Sequence, residues 1–181
     1  VRTVPNESPE KYPLNVLSAI FGGGMSSRLF HEVREKRGLA YYVRSSSDHY
    51  LDCGTFVTTA GIDPKRVTDA VKVMLDEYNK ATDGTLVIKK DELKKAKEFL
   101  KGHMVLELED SRAVAGYYAH QELLEKSIEN PDEVIQKIDV VNTDELNAVG
   151  KKFFENKGLN LALIGNFEDR QALENILQLS K

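Results

Sequence analysis

The chain has 181 residues, of which 41% are hydrophobic and 30% charged, and its formal net charge is −4. This composition predicts a folded soluble domain, and the interleaved charges argue against nucleic acid as the main partner, because phosphate binding needs a clustered basic surface. The single cysteine, Cys53, excludes an intrachain disulfide and a four-thiolate zinc site, and no apolar run approaches the ~20 residues of a membrane-spanning helix.

The amino-terminal part predicts a short linker and then a helix. Residues 1–8 are polar and are expected to form a tail or linker. Ser8 and Pro9 are typical of a helix start, because the hydroxyl can cap the first turn and the proline needs no amide partner there. The helix is expected to end at Gly22 and to bury an apolar stripe that consists of Leu14, Leu17, Ile20 and Phe21.

A glycine turn follows, made of Gly22, Gly23 and Gly24. These glycines are expected to adopt backbone angles that a side chain would forbid. Ser26 or Ser27 can cap the next helix, which is predicted over residues 28–37. Gly38 then stands where a helix commonly stops. The pattern therefore predicts a flexible turn beside a short charged helix.

Two side chains near this turn carry potential chemistry. Arg34 lies four positions after Phe30, so it is expected at the edge of the apolar helix face. Tyr41 lies a few residues into the following strand, whereas Tyr42 is expected to point to the opposite strand face. A guanidinium and a phenol are thus predicted close together. The ordinary alternative is a solvated arginine and a half-buried tyrosine without a shared role.

The remainder of the chain predicts one hairpin and then mostly helices. Residues 40–47 and 53–60 are predicted as the two hairpin strands, and residues 159–165 as an apolar, buried strand. A final helix is expected from Glu168 onward. Because strands and helices occur in runs, the predicted fold class is α+β, with an antiparallel sheet covered by helices. No linker divides the chain, so residues 1–181 are expected to form a single domain. The other helices are predicted to begin near residues 64, 88, 111, 131 and 143.

The histidines do not predict a metal site. Zinc binding from one helix face needs two histidines three or four positions apart, and none of the four histidines has that spacing. His103 with Glu107 comes closest, but such a pair is more often a surface contact. No metal or cofactor is therefore expected in this chain.

The triple glycine does not match a known phosphate-binding loop. The Walker pattern needs Lys-Ser or Lys-Thr after its last glycine, and the dinucleotide pattern needs a preceding strand. Two interpretations remain open, a turn between helices and a mobile flap beside a peptide-binding surface. Cys53 is expected to be a small buried hydrophobic residue.

The segments Leu17–Phe30 and Glu32–Tyr41 resemble the pitrilysin/insulinase superfamily of zinc peptidases, which includes the mitochondrial processing peptidase subunits. A weaker similarity extends from about Pro9 to Phe167. The resemblance implies two homologous halves that face each other across a cavity, with His-x-x-Glu-His in the amino-terminal half. This chain lacks that motif. It is therefore similar to the zinc-free carboxy-terminal half, truncated at the family's edge strand before the first helix.

The same resemblance implies roles for the residues that match. Arg34 and Tyr41 would reach the zinc site of the partner half and donate hydrogen bonds to a peptide substrate and to the developing oxyanion. The three glycines would form a hinge or lining beside the substrate. The implied function is a C-terminal domain of a zinc metallopeptidase that is inactive alone. A cytoplasmic location is expected. The alternative is a catalytically dead scaffold subunit of the same superfamily.

Overall fold

Helices cover one face of a three-stranded antiparallel sheet in the computed structural model, which describes residues 1–125, 127–167 and 170–179. The strand order is β1–β3–β2, with β1 at Arg2–Thr3, β2 at Ala40–His49 and β3 at Gly54–Ile62. The α-helices are α1 (Lys11–Gly22), α2 (Val67–Asp83), α3 (Lys90–Glu107), α4 (Ser111–Leu124), α5 (Pro131–Val140), α6 (Thr143–Phe153) and α7 (Arg170–Ile176). The predicted α+β fold with an antiparallel sheet under helices is confirmed.

Short helical turns complete the chain. A π-helix spans Phe30–Glu35, and 3₁₀ turns span Pro64–Arg66 and Asn156–Gly158. The predicted start of the last helix, Glu168, lies outside the described residues. Within the described part, no helix combines the length and the apolar character needed to cross a bilayer.

The predicted hairpin is present and is slightly longer than expected. Its two strands pair from Ala40 opposite Ile62 to His49 opposite Gly54. The sequence left open which face of the second strand is buried. Phe56 is 1% exposed, so the strand face that carries Phe56 packs on the helices. The predicted stripe of α1 lies against this inner face, and all four of its residues are buried, namely Leu14, Leu17, Ile20 and Phe21.

Four aromatic rings join the sheet to the helices. They belong to Phe21, Phe56, Tyr78 and Phe154, and their centroids lie 4.9–6.1 Å apart. Tyr78 satisfies its buried hydroxyl through a hydrogen bond with Thr58, and burial raises the pKa of Tyr78 to about 12. Edge-to-face pairs of this kind add to the free energy gained from apolar burial. The cluster therefore holds α1, β3, α2 and the end of α6 in one core.

The first residues form part of the sheet, which corrects the expected tail. The amino group of Val1 donates to the carbonyl of Phe56 at 2.9 Å, and the amide of Phe56 donates back to the carbonyl of Val1 at 2.9 Å. Arg2 then lies opposite Thr55 and Thr3 opposite Gly54. The polar side chains predicted a linker, but strand pairing depends on backbone amides and carbonyls. Every residue carries both groups, except that proline lacks the amide hydrogen.

The strand predicted at residues 159–165 does not form, and this prediction is wrong for the described structure. The segment pairs with no strand among the described residues, and Leu161 and Ile164 are 37% and 103% exposed. It lies across a cleft of about 820 Å³ from β3, and β3 forms no ladder with it. Its apolar composition is typical of a buried strand, but composition does not supply the neighbouring backbone that a strand needs.

Candidate functional site

Close packing, rather than unusual backbone geometry, explains the triple-glycine turn. None of Gly22, Gly23 and Gly24 has a positive φ, so the expectation of forbidden backbone angles is wrong. A Cβ atom at Gly22 would overlap the backbone nitrogen of Ser45, and one at Gly23 would lie 2.7 Å from the Cα atom of Ala19. Glycine therefore lets the end of α1 contact the backbone of β2 directly.

The helix after this turn contains one wide turn. The amide of Lys36 donates to the carbonyl of His31, five positions earlier, at 2.9 Å. Gly38, with a φ of +57°, ends the helix as predicted, and its amide donates to the carbonyl of Arg34 at 2.9 Å. Ser27 does not cap the helix, because its hydroxyl donates to a carbonyl of the glycine turn. Wide π-turns occur frequently at functional sites.

Arg28 anchors the beginning of this helix to the helical layer. Its guanidinium donates to both carboxylate oxygens of Glu92, at 2.6 and 2.8 Å. A third hydrogen bond reaches the carbonyl of Val87 at 2.6 Å, and Glu77 lies 3.9 Å away. Glu77 is only 4% exposed, so Arg28 also compensates a buried negative charge.

The charges around the middle of the helix neutralise one another. His31 contacts Glu35 at 2.6 Å, and Glu32 accepts hydrogen bonds at 2.6 Å from both Lys36 and Arg37. These two donors, Lys36 first, lower the pKa of Glu32 to about 2. The pairs stabilise the helix locally and engage these side chains with one another.

Arg34 differs from its charged neighbours on the same helix. It is exposed, and in the described residues its side chain has no ion pair and no hydrogen bond. Its guanidinium carbon lies 4.9 Å from the centroid of the Phe30 ring. A cation–π contact of this kind orients the guanidinium while leaving its hydrogen-bond donors available.

Tyr41 lies at an irregular point of β2. Ala40 pairs with Ile62 and Tyr42 with Gly61, so Tyr41 is the extra residue of a β-bulge. Tyr41 and Tyr42 are 78% and 50% exposed, which breaks the alternation of a regular strand. The expectation that Tyr42 points to the opposite face therefore loses its basis, and both phenols are accessible.

The two tyrosines nevertheless differ in their surroundings. The ring of Tyr42 covers Gly61, where an added Cβ atom would lie 2.5 Å from a ring carbon. Tyr41 has no ring contact and no side-chain hydrogen bond within the described residues. The phenol of Tyr41 is thus the freer of the two donors.

Arg44 is a candidate that the sequence analysis missed. It is exposed, lies opposite Thr59 in the hairpin, and has no ion pair in the part of the chain described. It lies two positions after Tyr42, so both residues belong to the same outer strand face. The spacing of two residues between Tyr42 and Arg44 was the signal in the sequence that could have identified Arg44. Arg34, Arg44 and the two tyrosines give this end of the sheet accessible hydrogen-bond donors.

Metal-binding groups do not gather anywhere in the described residues, where no three or more His, Cys, Asp or Glu side chains could hold one ion. His103, the closest candidate by spacing, contacts the carbonyl of Phe99 at 3.0 Å. Cys53 is partly exposed and not fully buried as expected. The site can therefore donate hydrogen bonds, but these residues offer no ligands for zinc.

Comparisons with known proteins agree on one family. A family model described as the peptidase M16 inactive domain matches residues 1–100. A protein of Streptomyces coelicolor described as an uncharacterized zinc protease is 38% identical over 90% of this chain, which spans 35% of that relative. A conserved protein from Enterococcus faecalis has a similar structure, with a TM-score of 0.71, 30% identity and coverage of 82% of this chain and 34% of its own. A chain of complex III2 from Candida albicans has a TM-score of 0.75 and 26% identity, over 84% of this chain and 38% of its own.

Proposed function

Because this chain belongs to the peptidase M16 inactive-domain family, we propose that it is the zinc-free half of a zinc metallopeptidase. A partner half that carries His-x-x-Glu-His would hold the metal, on the same chain or on another subunit. The similarity to a protein described as a zinc protease supports this assignment, and so does its greater length, since this chain spans only 35% of it. Within such an enzyme this half supplies substrate contacts rather than the metal.

The observation that carries the proposal is the contrast between Arg34 and the other basic side chains on the helix after the glycine turn. Arg28, Lys36 and Arg37 are all paired with carboxylates, whereas Arg34 is exposed and unpaired among the described residues. Tyr41 comes seven residues later, after the Gly38 stop, and is 78% exposed. No carboxylate stands three or four positions from Arg34 in the sequence, so its hydrogen-bond donors stay available to a substrate.

Arg34 and Tyr41 would bind and polarise the peptide bond that is cut. Zinc in the partner half would supply the activated water for hydrolysis. The guanidinium and the phenol then donate hydrogen bonds to the substrate and to its carbonyl oxygen as negative charge develops there. When the two halves close and exclude water, these hydrogen bonds become stronger because the local dielectric falls.

The glycine turn would line the same cavity. Its tight packing on β2, with overlap of any Cβ atom at Gly22, supports a fixed wall more than a mobile flap. The three glycines would thus hold the helix that carries Arg34 at a constant distance from the strand that carries Tyr41.

The test is peptide hydrolysis by the full-length protein and by this chain alone. With zinc added, the chain alone should cleave no peptide. In the full-length enzyme, Arg34→Ala or Tyr41→Phe should raise the activation free energy that kcat/KM reports by about 2–4 kcal/mol, which is typical of a lost oxyanion donor. Arg37→Ala and Tyr50→Phe, at a tyrosine that is 54% exposed just after β2, are the matched controls and should stay near the wild-type rate. Unchanged turnover in both site variants would refute the assignment of Arg34 and Tyr41.

A scaffold subunit without catalysis is the second candidate. The similarity to a chain of complex III2 from Candida albicans, at 26% identity, favours it. The two candidates differ in one property of the full-length protein or its partner subunit. A His-x-x-Glu-His motif there, with zinc bound in the purified protein, supports the peptidase, and its absence supports the scaffold.

A further inference from the structure

Arg44 stands on the outer face of the hairpin, turned away from the helices, and it is exposed. Its two neighbours on β2 belong to the inner face. Val43 is 6% exposed, and the hydroxyl of Ser45 contacts that of Thr58 at 2.7 Å, which in turn is hydrogen-bonded to the buried Tyr78. Because successive side chains of a strand alternate between its faces, the guanidinium of Arg44 projects outward.

The backbone that carries Arg44 is fixed from the inner side. A Cβ atom at Gly22 would lie 2.7 Å from the carbonyl carbon of Arg44 and would overlap the amide nitrogen of Ser45, so the end of α1 packs directly on this peptide unit. A side chain on such a rigid strand keeps a constant position relative to other groups of the same strand. Arg44 is therefore held at a defined distance from Tyr41.

The residues around Arg44 on the outer face do not neutralise its charge. Thr59 lies directly opposite, and Val57 and Gly61 are the diagonal neighbours on β3. Asp48 belongs to the same face of β2 but lies four positions farther along, about 13 Å away at strand spacing. Opposite charges on adjacent strands stabilise a sheet, and Arg44 has no such partner among the described residues.

The end of the hairpin that carries the β-bulge has excess positive charge. The two segments that meet there, residues 30–44 and 62–66, contain six Lys and Arg against three Asp and Glu, although the whole chain has a formal net charge of −4. Arg66 joins the segments, since its guanidinium donates to the carbonyls of Arg37 and Gly38 at 3.1 Å each. A basic surface of this kind attracts acidic peptides and repels basic ones.

We propose that Arg44 gives the enzyme a preference for peptides with an Asp or Glu side chain two or three residues from the bond that is cut. This inference rests on the proposed function, in which Arg34 and Tyr41 bind that bond. A strand advances about 3.3 Å per residue, so Arg44 lies about 10 Å along β2 from Tyr41, which is the span of three residues of an extended peptide. The planar guanidinium donates through a fork that matches both oxygens of a carboxylate.

The test is hydrolysis of a peptide series by the full-length zinc enzyme, with its partner subunit if the halves are separate chains. The peptides carry Glu, Gln or Lys at one position at a time on either side of the cleaved bond. At one position, two or three residues from that bond, kcat/KM for the Glu peptide should exceed that for the Lys peptide by about fivefold or more. Arg44→Gln should remove this preference and Arg44→Glu should reverse it.

Two controls separate a local contact from the overall charge of the protein. Arg112→Glu makes the same change in charge at a side chain that is 94% exposed on α4, and it should keep the wild-type preference. Raising the salt concentration from about 0.1 M to about 1 M shortens the screening length from about 10 Å to about 3 Å and should weaken the preference of the wild-type enzyme. A reversal in Arg112→Glu as well would overturn the assignment to Arg44.

Peptide binding distinguishes failure of this inference from failure of the proposed function. Fluorescence anisotropy of labelled Glu and Lys peptides is measured with the full-length protein after zinc is removed by a chelator, so that the peptides stay intact. Selective binding of the Glu peptide that Arg44→Glu reverses, without hydrolysis once zinc is restored, would refute the peptidase and keep the binding role of Arg44. Hydrolysis at equal rates for Glu and Lys at every position, or a preference that persists in Arg44→Glu, would overturn the inference and leave the peptidase intact.

Discussion

The two ends of the helix at residues 28–37 differ in how their arginines are held. At its beginning, Arg28 makes three hydrogen bonds to Glu92 and Val87 and lies against the helical layer. Near its end, Arg34 contacts the ring of Phe30, 4.9 Å away, and pairs with no carboxylate among the residues that the structure describes. The same residue type on one helix therefore has two different surroundings. The anchored end is tied to the helical layer, whereas the open end leaves its guanidinium accessible.

The largest expected change in stability is at Gly22, in the turn that precedes the anchored end of this helix. Gly22→Ala places a Cβ atom onto the backbone nitrogen of Ser45, where neither neighbour can move without shifting a strand. The free energy of unfolding should fall by about 3 kcal/mol or more. Urea unfolding followed by circular dichroism measures it.

Gly116→Ala is the matched control for that substitution. An added Cβ at Gly116, within α4, meets nothing within 4 Å, so the change should raise the free energy of unfolding by about 0.5–1 kcal/mol. Equal destabilisation of both variants would show that close approach to β2 is not the reason for Gly22.

The next effect compares the two arginines directly. Arg28→Ala leaves Glu92 without its cation and leaves Lys80 as the remaining partner of Glu77, which is 4% exposed, and should lower the free energy of unfolding by about 2 kcal/mol. Arg34→Ala should change it by less than about 0.5 kcal/mol, because an exposed unpaired cation contributes little. The same urea titration measures both. A similar loss in the two variants would remove the distinction between the anchored and the open end.

The smallest expected effect is the pH dependence of the stability that the ion pairs of Glu32 contribute. The pKa of Glu32 is lowered to about 2 from an ordinary 4.5, so its pairs with Lys36 and Arg37 stabilise the fold fully above about pH 4.5. This contribution is lost as the pH falls toward 2. Because these side chains are partly solvated, it should stay below about 1 kcal/mol. The stability difference between wild type and Glu32→Gln should shrink as the pH falls from 5 to 2.5, and a constant difference would contradict it.

Sequence signals that act between neighbouring residues, such as helix caps and stops, predicted the local structure well. Gly38 ends its helix with φ of +57°, Asp63 accepts a hydrogen bond from the amide of Lys65 at 3.0 Å, and Asn130 caps α5. The family resemblance carried by Leu17–Phe30 and Glu32–Tyr41 is confirmed by the family match. The roles of Arg34 and Tyr41 stay predictions that the proposed assays test.

The sequence by itself determined the helices, the hairpin and the family, because caps, turns and apolar spacing act within a few residues of one another. Only the tertiary structure decided that Tyr41 occupies a bulge, that Gly22 is needed for contact with β2, and that residues 159–165 find no strand partner in the described part of the chain. Each of these depends on a backbone far away in the chain, and no local pattern specifies which distant backbone comes within hydrogen-bonding distance.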